Sequence, residues 1–429
     1  MAGLYIHIPF CNSKCGYCGF YSVPSLKLKE RFLEALKEEL INRKEYLKTA
    51  SPVCCVANAT PQAPAPKNKP TIETLYFGGG TPSLLSTKEI AELLHLINNN
   101  YNIAPNAEIT LEANPDTLFL EYLEGLRRIG INRLSIGIQS FFDNDLKYLS
   151  RRHDSNHARQ CIGWAKQAGF CNISIDLIYG LPTSNAEQWN RNLDLFFEMG
   201  LPHLSAYALT LEPNSILTKQ IEQGKALPIS DEDALRDYDI LCRRAKENGY
   251  LHYEISNFCQ SGMHSKHNSS YWFGTPYVGF GPSAHSYDGA SRQWNKSNVE
   301  RYCENWSAAS RIDYVESTIC EERSNPEIGD PCLDCFVVPP RNDERFATEK
   351  ETLSPEQLYD EYVMLRLRTH WGIDLKYIKR EMGERFSNYC EQHAQPLIAQ
   401  GRLSQTREFL YLTDEQMLFA DAVAEALFW

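Results

Sequence analysis

The stretch "LYIHIPFCNSKCGYCGFYS" (residues 4–22) joins an apolar segment to three closely spaced cysteines. Residues 4–8 predict a β-strand, and Cys11, Cys15 and Cys18 follow it in a short loop. A structural zinc site usually has four ligands in paired positions, and a disulfide framework needs an even number of cysteines and an oxidising compartment. Three thiolates favour an iron–sulfur cluster with one coordination position left open. The spacing alone leaves chance or a partial zinc site as alternatives.

Strands and helices alternate along the first two thirds of the chain. Further buried strands are predicted at 74–78, 108–113, 133–139, 172–180 and 203–209. Helices are predicted at 28–47, 87–98, 116–129, 155–168 and 186–199. This alternation predicts an α/β fold with a parallel sheet that is closed or partly closed.

Polar or glycine-rich segments stand at the ends of successive predicted strands. They are Gly78-Gly79-Gly80 after the second, Glu112 and Gln139 at the ends of the third and fourth, and Asp176 on the fifth. The carboxyl ends of parallel strands meet at one edge of a sheet and bind ligands there. The glycines expose backbone N–H groups to a carboxylate or a phosphate. Each feature alone also fits a tight turn or a satisfied core carboxylate, but their convergence favours a ligand site.

Composition changes divide the chain into parts. A large domain is predicted over 1–319, with an Ala/Pro-rich insertion at about 49–71. A second insertion or linker covers 320–354, and a small helical or winged C-terminal domain covers 355–429.

The net charge and the composition of the first residues limit the partners that the protein can bind and its location in the cell. The net charge is −12, from 43 Lys and Arg against 55 Asp and Glu, which argues against duplex nucleic acid as a partner. Neither a signal peptide nor a membrane-spanning apolar run is visible in the sequence. With 14 cysteines, the chain is expected to be a cytoplasmic protein that uses thiols for metal or redox chemistry. Peripheral membrane association and homodimer formation both stay open.

The motifs together resemble the radical S-adenosylmethionine (SAM) enzymes, in the branch of oxygen-independent coproporphyrinogen III oxidase-like proteins. Cys-x3-Cys-x2-Cys, with Tyr17 before the third cysteine, resembles the superfamily signature. The segments similar to the branch are YIHIPFC, LYFGGGTPS, LEANP, GIQSF, IDLIYGLP and, in the C-terminal domain, LRLRTHWGIDL. The resemblance covers nearly the whole chain apart from the two insertions. It implies a partial or open (β/α) barrel of the radical SAM type.

The resemblance also implies cofactors. Cys11, Cys15 and Cys18 would hold a [4Fe-4S] cluster whose fourth iron binds SAM, and an electron from the cluster would cleave SAM to methionine and a 5′-deoxyadenosyl radical. An electron donor for the cluster is therefore an implied partner. The implied SAM contacts are Tyr5, Gly79, Gly80, Thr81, Glu112, Gln139, Arg151 and Asp176. For His7, proton transfer and an orienting hydrogen bond are both open.

Two readings compete within the branch. The decarboxylating oxidase carries a fourth cysteine two residues after the third, where this chain has Phe20. The segment HNSSYW (267–272) instead resembles the haem chaperone relatives of that enzyme. Haem binding by His267, Tyr271 and Trp272, and delivery to recipient haemoproteins, including those of a respiratory chain, follow as expectations.

Other functions stay open beside the chaperone. HNSSYW also fits a polar turn whose aromatic side chains anchor a loop in the core. The decarboxylating oxidase and a radical SAM methyltransferase that opens haem share the core motifs. The sequence does not decide whether the protein is an enzyme.

The remaining cysteines give weaker signals. Cys161 and Cys171 are predicted to be small core residues. A zinc or auxiliary cluster site lacks an obvious fourth ligand among Cys54-Cys55, Cys320, Cys332 and Cys335.

Overall fold

A computed structural model describes residues 2–49, 70–213, 215–307 and 349–429. Most of the two predicted insertions lies outside these residues. So do the cysteines whose roles the sequence leaves open, namely Cys54-Cys55, Cys320, Cys332 and Cys335.

Strands and helices alternate as the sequence predicts. The strands of the large sheet are β1 Ala2–Ile8, β2 Thr71–Gly79, β3 Asn102–Ala113, β4 Arg133–Gln139, β5 Asn172–Tyr179, β6 His203–Ala208, β7 Leu251–Glu254, β8 Asn257–Cys259, β9 Tyr277–Phe280, β10 His285–Tyr287, β11 Ser291–Trp294 and β12 Glu349–Thr352. The helices are α1 Lys29–Asn42, α2 Thr87–Asn100, α3 Leu120–Arg128, α4 Asp143–Tyr148, α5 Ser155–Gln167, α6 Ala186–Glu198, α7 Ile216–Glu222, α8 Asp231–Glu247, α9 Lys266–Trp272 and α10 Val299–Asn305.

The described strands form one open sheet in the order β12-β11-β10-β9-β1-β2-β3-β4-β5-β6-β8-β7. The strands from β9 through β1 to β6 are parallel to one another, and antiparallel strands extend the sheet beyond β9 and beyond β6. Helices connect the successive parallel strands β1 to β6. The predicted α/β class with a partial or open (β/α) barrel is confirmed.

The parallel strands have one apolar face and one polar face. In β4, Leu134, Ile136 and Ile138 belong to the main apolar core, while Arg133 and Ser135 alternate with them. Since successive side chains of a strand point to opposite faces, the polar residues share the other face. We call this polar surface the inner face.

The C-terminal part has its own apolar core within residues 359–427. Its helices are α11 Pro355–Leu367, α12 Glu384–Ala399 and α13 Ala420–Glu425, and its small sheet, in the order β13-β15-β14, consists of β13 Ile373–Asp374, β14 Ser404–Gln405 and β15 Phe409–Tyr411. Helix α11 begins at Pro355, after a Ser354 capping box. The end of the predicted linker differs, because residues 349–352 are the edge strand β12 of the large sheet.

Three further sequence predictions meet the structure here. Cys161 is fully buried, as predicted, but Cys171 is exposed because it lies in the turn between α5 and β5. HNSSYW forms helix α9 and not a turn. Within the described ranges, no helix combines the length and the apolarity that crossing a membrane requires.

A buried carboxylate on α1 fixes the end of β1. Glu39 is fully buried, and its carboxylate accepts hydrogen bonds from the Gly281 backbone N–H (2.8 Å), the Tyr302 hydroxyl (2.6 Å) and the Asn295 amide (2.8 Å). Gly281 in turn lies against His7, since a Cβ there would stand 2.4 Å from the His7 carbonyl oxygen. Glu39 therefore holds the backbone that supports the strand leading into the cysteine loop.

Replacing Glu39 with Gln should lower the free energy of unfolding by about 2–4 kcal/mol, because an amide N–H₂ would face groups that themselves donate hydrogen bonds. Urea unfolding monitored by circular dichroism measures the change. The control is Glu34→Gln on the same helix, where an exposed carboxylate pairs with Lys37 at 3.0 Å, and its effect should stay within about 0.5 kcal/mol. Equal midpoints for the two variants would contradict the anchoring role of Glu39.

Candidate functional site

The cysteine loop leaves the end of β1 and is tied down by backbone hydrogen bonds. The Cys11 N–H donates to the Val23 carbonyl at 3.2 Å, and the Val23 N–H donates to the Pro9 carbonyl at 2.7 Å. Cys11, Cys15 and Cys18 are free thiols that are neither fully buried nor fully exposed. Burial raises the pKa of the Cys18 thiol, and the adjacent Cys15 and Cys11 thiols raise it further. The three sulfur atoms therefore share one site.

Two side chains from other segments donate hydrogen bonds to these sulfurs, one from the end of β2 and one from the turn between α4 and α5. The Thr81 hydroxyl lies 3.4 Å from the Cys11 Sγ, and the Arg151 Nη1 lies 3.3 Å from the Cys15 Sγ. Asn114 joins the two donors, since its amide nitrogen donates to the Thr81 Oγ1 (3.0 Å) and its oxygen accepts from the Arg151 Nη2 (2.7 Å). Asn114 lies in the LEANP motif, yet sequence reasoning did not single it out.

Glu112 holds the glycine turn at the end of β2. Its carboxylate accepts hydrogen bonds from the Tyr76 hydroxyl at 2.7 Å and from the Gly79 N–H at 3.1 Å. Burial raises the pKa of Glu112 to about 7, and nearby Asp176 adds to the increase. Burial likewise raises the pKa of Asp176 to about 6, against the opposing effect of Arg133. Two carboxyl groups of raised pKa thus line the site.

The glycines at 79 and 80 are required by close contacts. Gly79 has φ +108°, and a Cβ there would lie 2.7 Å from the His7 ring, while a Cβ on Gly80 would lie 2.6 Å from the Phe10 carbonyl oxygen. Their N–H groups already donate to Glu112 and to the Ile8 carbonyl. In this structure they are therefore not the unpaired donors that the sequence suggested for an anion.

The side chains of Gln139 and Arg151 both pack against Gly137. Gln139 has φ +67° and ends β4 at a register shift relative to β5. A Cβ on Gly137 would lie 2.8 Å from the Gln139 amide nitrogen and 3.3 Å from an Arg151 nitrogen. Arg151 also donates to the Gly137 carbonyl at 2.8 Å. Gly137 therefore provides the space in which both side chains reach the site.

His7 stands between Tyr5 and the cysteine loop with both ring nitrogens bonded. The Nδ1 lies 3.2 Å from the Tyr5 hydroxyl, and the Nε2 lies 3.0 Å from the Tyr21 carbonyl oxygen. Because a carbonyl only accepts, Nε2 carries the proton and Nδ1 accepts from Tyr5. Burial lowers the pKa of His7 to about 4. His7 is therefore a neutral ring whose two nitrogens are both engaged within the protein.

Arg133 is a buried cation on the inner face. It is 1% exposed, and its Nε and Nη1 have no hydrogen-bond partner in the part of the chain that the structure describes. Its charge opposes the increase in pKa at both Glu112 and Asp176. Sequence reasoning missed this residue, although an arginine that opens an otherwise buried strand was a usable signal.

Helix α9 brings His267 against the middle of β2 and β3. The His267 Nδ1 lies 2.8 Å from the Thr74 Oγ1, and its Nε2 lies 2.8 Å from the Tyr271 hydroxyl. The Glu108 carboxylate accepts the His267 backbone N–H at 3.1 Å, and the His267 ring stacks on Tyr76 at 4.9 Å. His267 is 1% exposed, so its ring is buried against the inner face of the sheet.

These contacts bear on the expected haem ligands. Neither ring nitrogen of His267 is available to iron in this structure, because Thr74 and Tyr271 occupy both. Trp272 is half-buried, and the Arg368 guanidinium lies 5.8 Å from its ring centre. HNSSYW therefore divides into a buried half and a half that faces the C-terminal part.

The structure thus brings most of the predicted site residues together. The predicted residues that lie with the three cysteines at this edge of the sheet are His7, Gly79, Gly80, Thr81, Glu112, Gln139 and Arg151. Tyr5 and Asp176 lie in the middle of their strands, and the His267 ring stacks beside Tyr5 at 6.4 Å between ring centres. Trp272 lies beside Arg368 instead. Three clustered thiols with an arginine and a hydroxyl donating to their sulfurs fit an iron–sulfur cluster with three protein ligands. Such a cluster, when bound, supplies single-electron chemistry, while the surrounding polar groups would hold and orient its ligand.

Known protein families match two parts of the chain. The radical SAM superfamily matches residues 5–196, and the HemN C-terminal domain matches residues 353–419. The first contains the cysteine loop and the strand ends, and the second covers most of the C-terminal part.

Curated relatives match nearly the full length. A protein named heme chaperone HemW from Mycobacterium tuberculosis is 30% identical over 429 residues, which are 99% of this chain and 94% of the relative. Heme chaperone HemW from Bacillus subtilis is 30% identical over 427 residues, 99% of this chain and 98% of the relative. The mitochondrial radical S-adenosyl methionine domain-containing protein 1 of Danio rerio is 34% identical over 66% of this chain and 60% of its own.

A solved structure shares the fold. Coproporphyrinogen III oxidase (HemN) from Escherichia coli, described as a radical SAM enzyme, superposes with a TM-score of 0.76 at 21% identity, covering 100% of this chain and 90% of that one. At this identity the likeness concerns the fold and not the reaction. The resemblance inferred from the motifs is confirmed.

Replacing Cys11, Cys15 or Cys18 with Ala should abolish the brown chromophore of protein purified without oxygen, because each would supply one iron ligand. Iron and sulfide analysis should fall from about four of each per chain to near zero. The matched control is the exposed thiol variant Cys171→Ala, which should keep its iron. A triple variant that retained the full cluster would show that the ligands lie elsewhere.

His267→Gln should make stability less dependent on pH. Burial lowers the pKa of His267 from 6.5 to about 3. At a pH between these two pKa values, His267 is protonated in the unfolded chain but stays neutral in the folded protein. The free energy of unfolding of the wild type therefore decreases as the pH falls. Between about pH 7 and pH 4.5, the free energy of unfolding should decrease by about 2 kcal/mol less in the variant than in the wild type. Urea unfolding at several pH values measures this, and identical slopes for both proteins would contradict the buried neutral state.

Proposed function

Because the chain belongs to the radical SAM superfamily, in the branch that contains the haem chaperone HemW, we propose that it is a haem chaperone. It binds haem and delivers it to recipient haemoproteins, those of a respiratory chain among them. The observation that carries the proposal is 30% identity, over nearly full length on both sides, to curated proteins named for that role. The proposal keeps the cytoplasmic location expected from the sequence.

The proposed protein also holds a [4Fe-4S] cluster and SAM. Cys11, Cys15 and Cys18 hold the cluster, and Thr81 and Arg151 stabilise it through their hydrogen bonds to two of the sulfurs. The proposed SAM contacts are Tyr5, Gly79, Gly80, Thr81, Glu112, Gln139, Arg151 and Asp176. An electron donor for the cluster is a further proposed partner.

Phe20 argues against the decarboxylating oxidase. The motif of that enzyme places a fourth cysteine at this position, and here the Phe20 side chain is 71% exposed beside the cysteine loop. The oxidase therefore remains the second reading, and a haem-degrading methyltransferase would differ from the chaperone by consuming SAM and haem together.

A haem titration followed by visible absorption tests the proposal. Protein purified without oxygen should bind about one haem per chain with a shifted Soret band and should pass it to an apo-haemoprotein mixed in afterwards. Chromatography should recover the SAM and the haem intact. Coproporphyrinogen III, supplied with SAM and a reductant, should yield no protoporphyrinogen IX.

Each failure has a distinct meaning. A wild type that takes up no haem at micromolar concentrations would overturn the chaperone and leave a radical SAM protein of another function. Robust decarboxylation of coproporphyrinogen III would establish the oxidase in its place, and a ring-opened, methylated haem product would establish the methyltransferase.

A further inference from the structure

Two histidines close to α9 offer free imidazoles where His267 does not. His264 precedes α9, and His370 lies after α11; both are partly exposed. Neither ring has a hydrogen-bond partner within the described part of the chain, whereas both nitrogens of His267 are bonded. An unbonded, accessible imidazole is the common protein ligand of haem iron.

The two imidazoles flank one indole ring. Trp371 lies 6.0 Å from His264 and 4.4 Å from His370 between ring centres, and 4.8 Å from Phe273. Phe273 is 50% exposed, so the group presents an aromatic surface to solvent. We call His264, Phe273, His370 and Trp371 the junction cluster. Aromatic faces of this kind suit stacking against a large planar ligand.

Backbone pairing holds the junction cluster across the two parts of the chain. The His370 N–H donates to the Tyr253 carbonyl at 3.1 Å, and the Ile255 N–H donates to the Arg368 carbonyl at 3.2 Å. Thr369 forms an isolated antiparallel bridge with Glu254 at the edge of the large sheet. The cluster therefore has fixed geometry although its members come from separate segments.

Cations surround this aromatic surface in a chain whose net charge is −12. The Arg366 guanidinium lies 4.6 Å from the Phe273 ring centre. Arg368, which also forms an ion pair with Asp421, lies 5.8 Å from the Trp272 ring centre. Lys266 is exposed at the start of α9. A planar apolar ligand with a ligatable metal and anionic substituents matches this combination of imidazole, aromatic and cationic groups.

We propose that haem docks on the junction cluster, with its iron bound by an imidazole of the His264–His370 pair and its propionates facing Arg368 and Lys266. The inference rests on the proposed function and locates its haem site. A partly exposed docking surface also suits release, because haem can leave without the buried core opening.

The test is a haem titration, followed by visible absorption, of the wild type, the double variant His264→Ala/His370→Ala and a control. The control is His95→Ala, which removes an exposed histidine of α2. The double variant should lose the shifted Soret band or bind roughly tenfold more weakly, and added free imidazole should restore the band. His95→Ala should match the wild type. Far-ultraviolet circular dichroism and iron content check that each variant is folded.

A second variant tests the aromatic part of the proposed docking site. Trp371→Leu retains both imidazoles and should weaken binding through lost stacking. If the wild type binds haem and the double variant binds it equally well with the same spectrum, the docking site is wrong while the chaperone function stands. If only His267→Gln lost the shifted Soret band, the docking site would also be wrong, because His267 would then be the iron ligand. A wild type that binds no haem would end both proposals.

Discussion

The parallel alignment of β1 to β6 is the constraint on which the site depends. Since all six strands run in one direction, their carboxyl ends bring the cysteine loop, the glycine turn and three further strand ends to one edge of the sheet. Hydrogen bonds then connect what the alignment brings together. Asn114 joins Thr81 and Arg151, and these in turn donate to Cys11 and Cys15. The site is thus a property of the whole sheet and not of the cysteine loop alone.

The polar inner face connects this edge to helix α9. His267 stacks on Tyr76, the Tyr76 hydroxyl bonds Glu112, and Glu112 accepts the Gly79 N–H. The HNSSYW motif therefore supports, through three successive contacts, the same glycine turn that borders the cysteine loop. Most of the buried polar groups find partners, and Arg133 is notable among those with unbonded atoms because it carries a charge.

The sequence predicted the elements better than their contacts. Apolar runs located β1 to β6, although β3 begins six residues before its predicted start. Positions on these strands singled out Glu112, Gln139 and Asp176, because both signals are local. Asn114 escaped because its importance depends on Thr81 and Arg151, which other segments bring to it. The role of His267 depends on Thr74, which is 193 positions away. Such a pairing leaves no trace in spacing, so the contacts of His267 could not be predicted from the motif.

We infer that three thiolates and the strand ends form one cofactor site. A crystal structure of the anaerobically reconstituted protein with SAM would show this site. We expect density for a [4Fe-4S] cluster on Cys11, Cys15 and Cys18, with SAM on the remaining iron and in contact with Thr81, Glu112 or Arg151. A fourth protein ligand on the cluster, or SAM bound away from the carboxyl ends of the strands, would refute the inference.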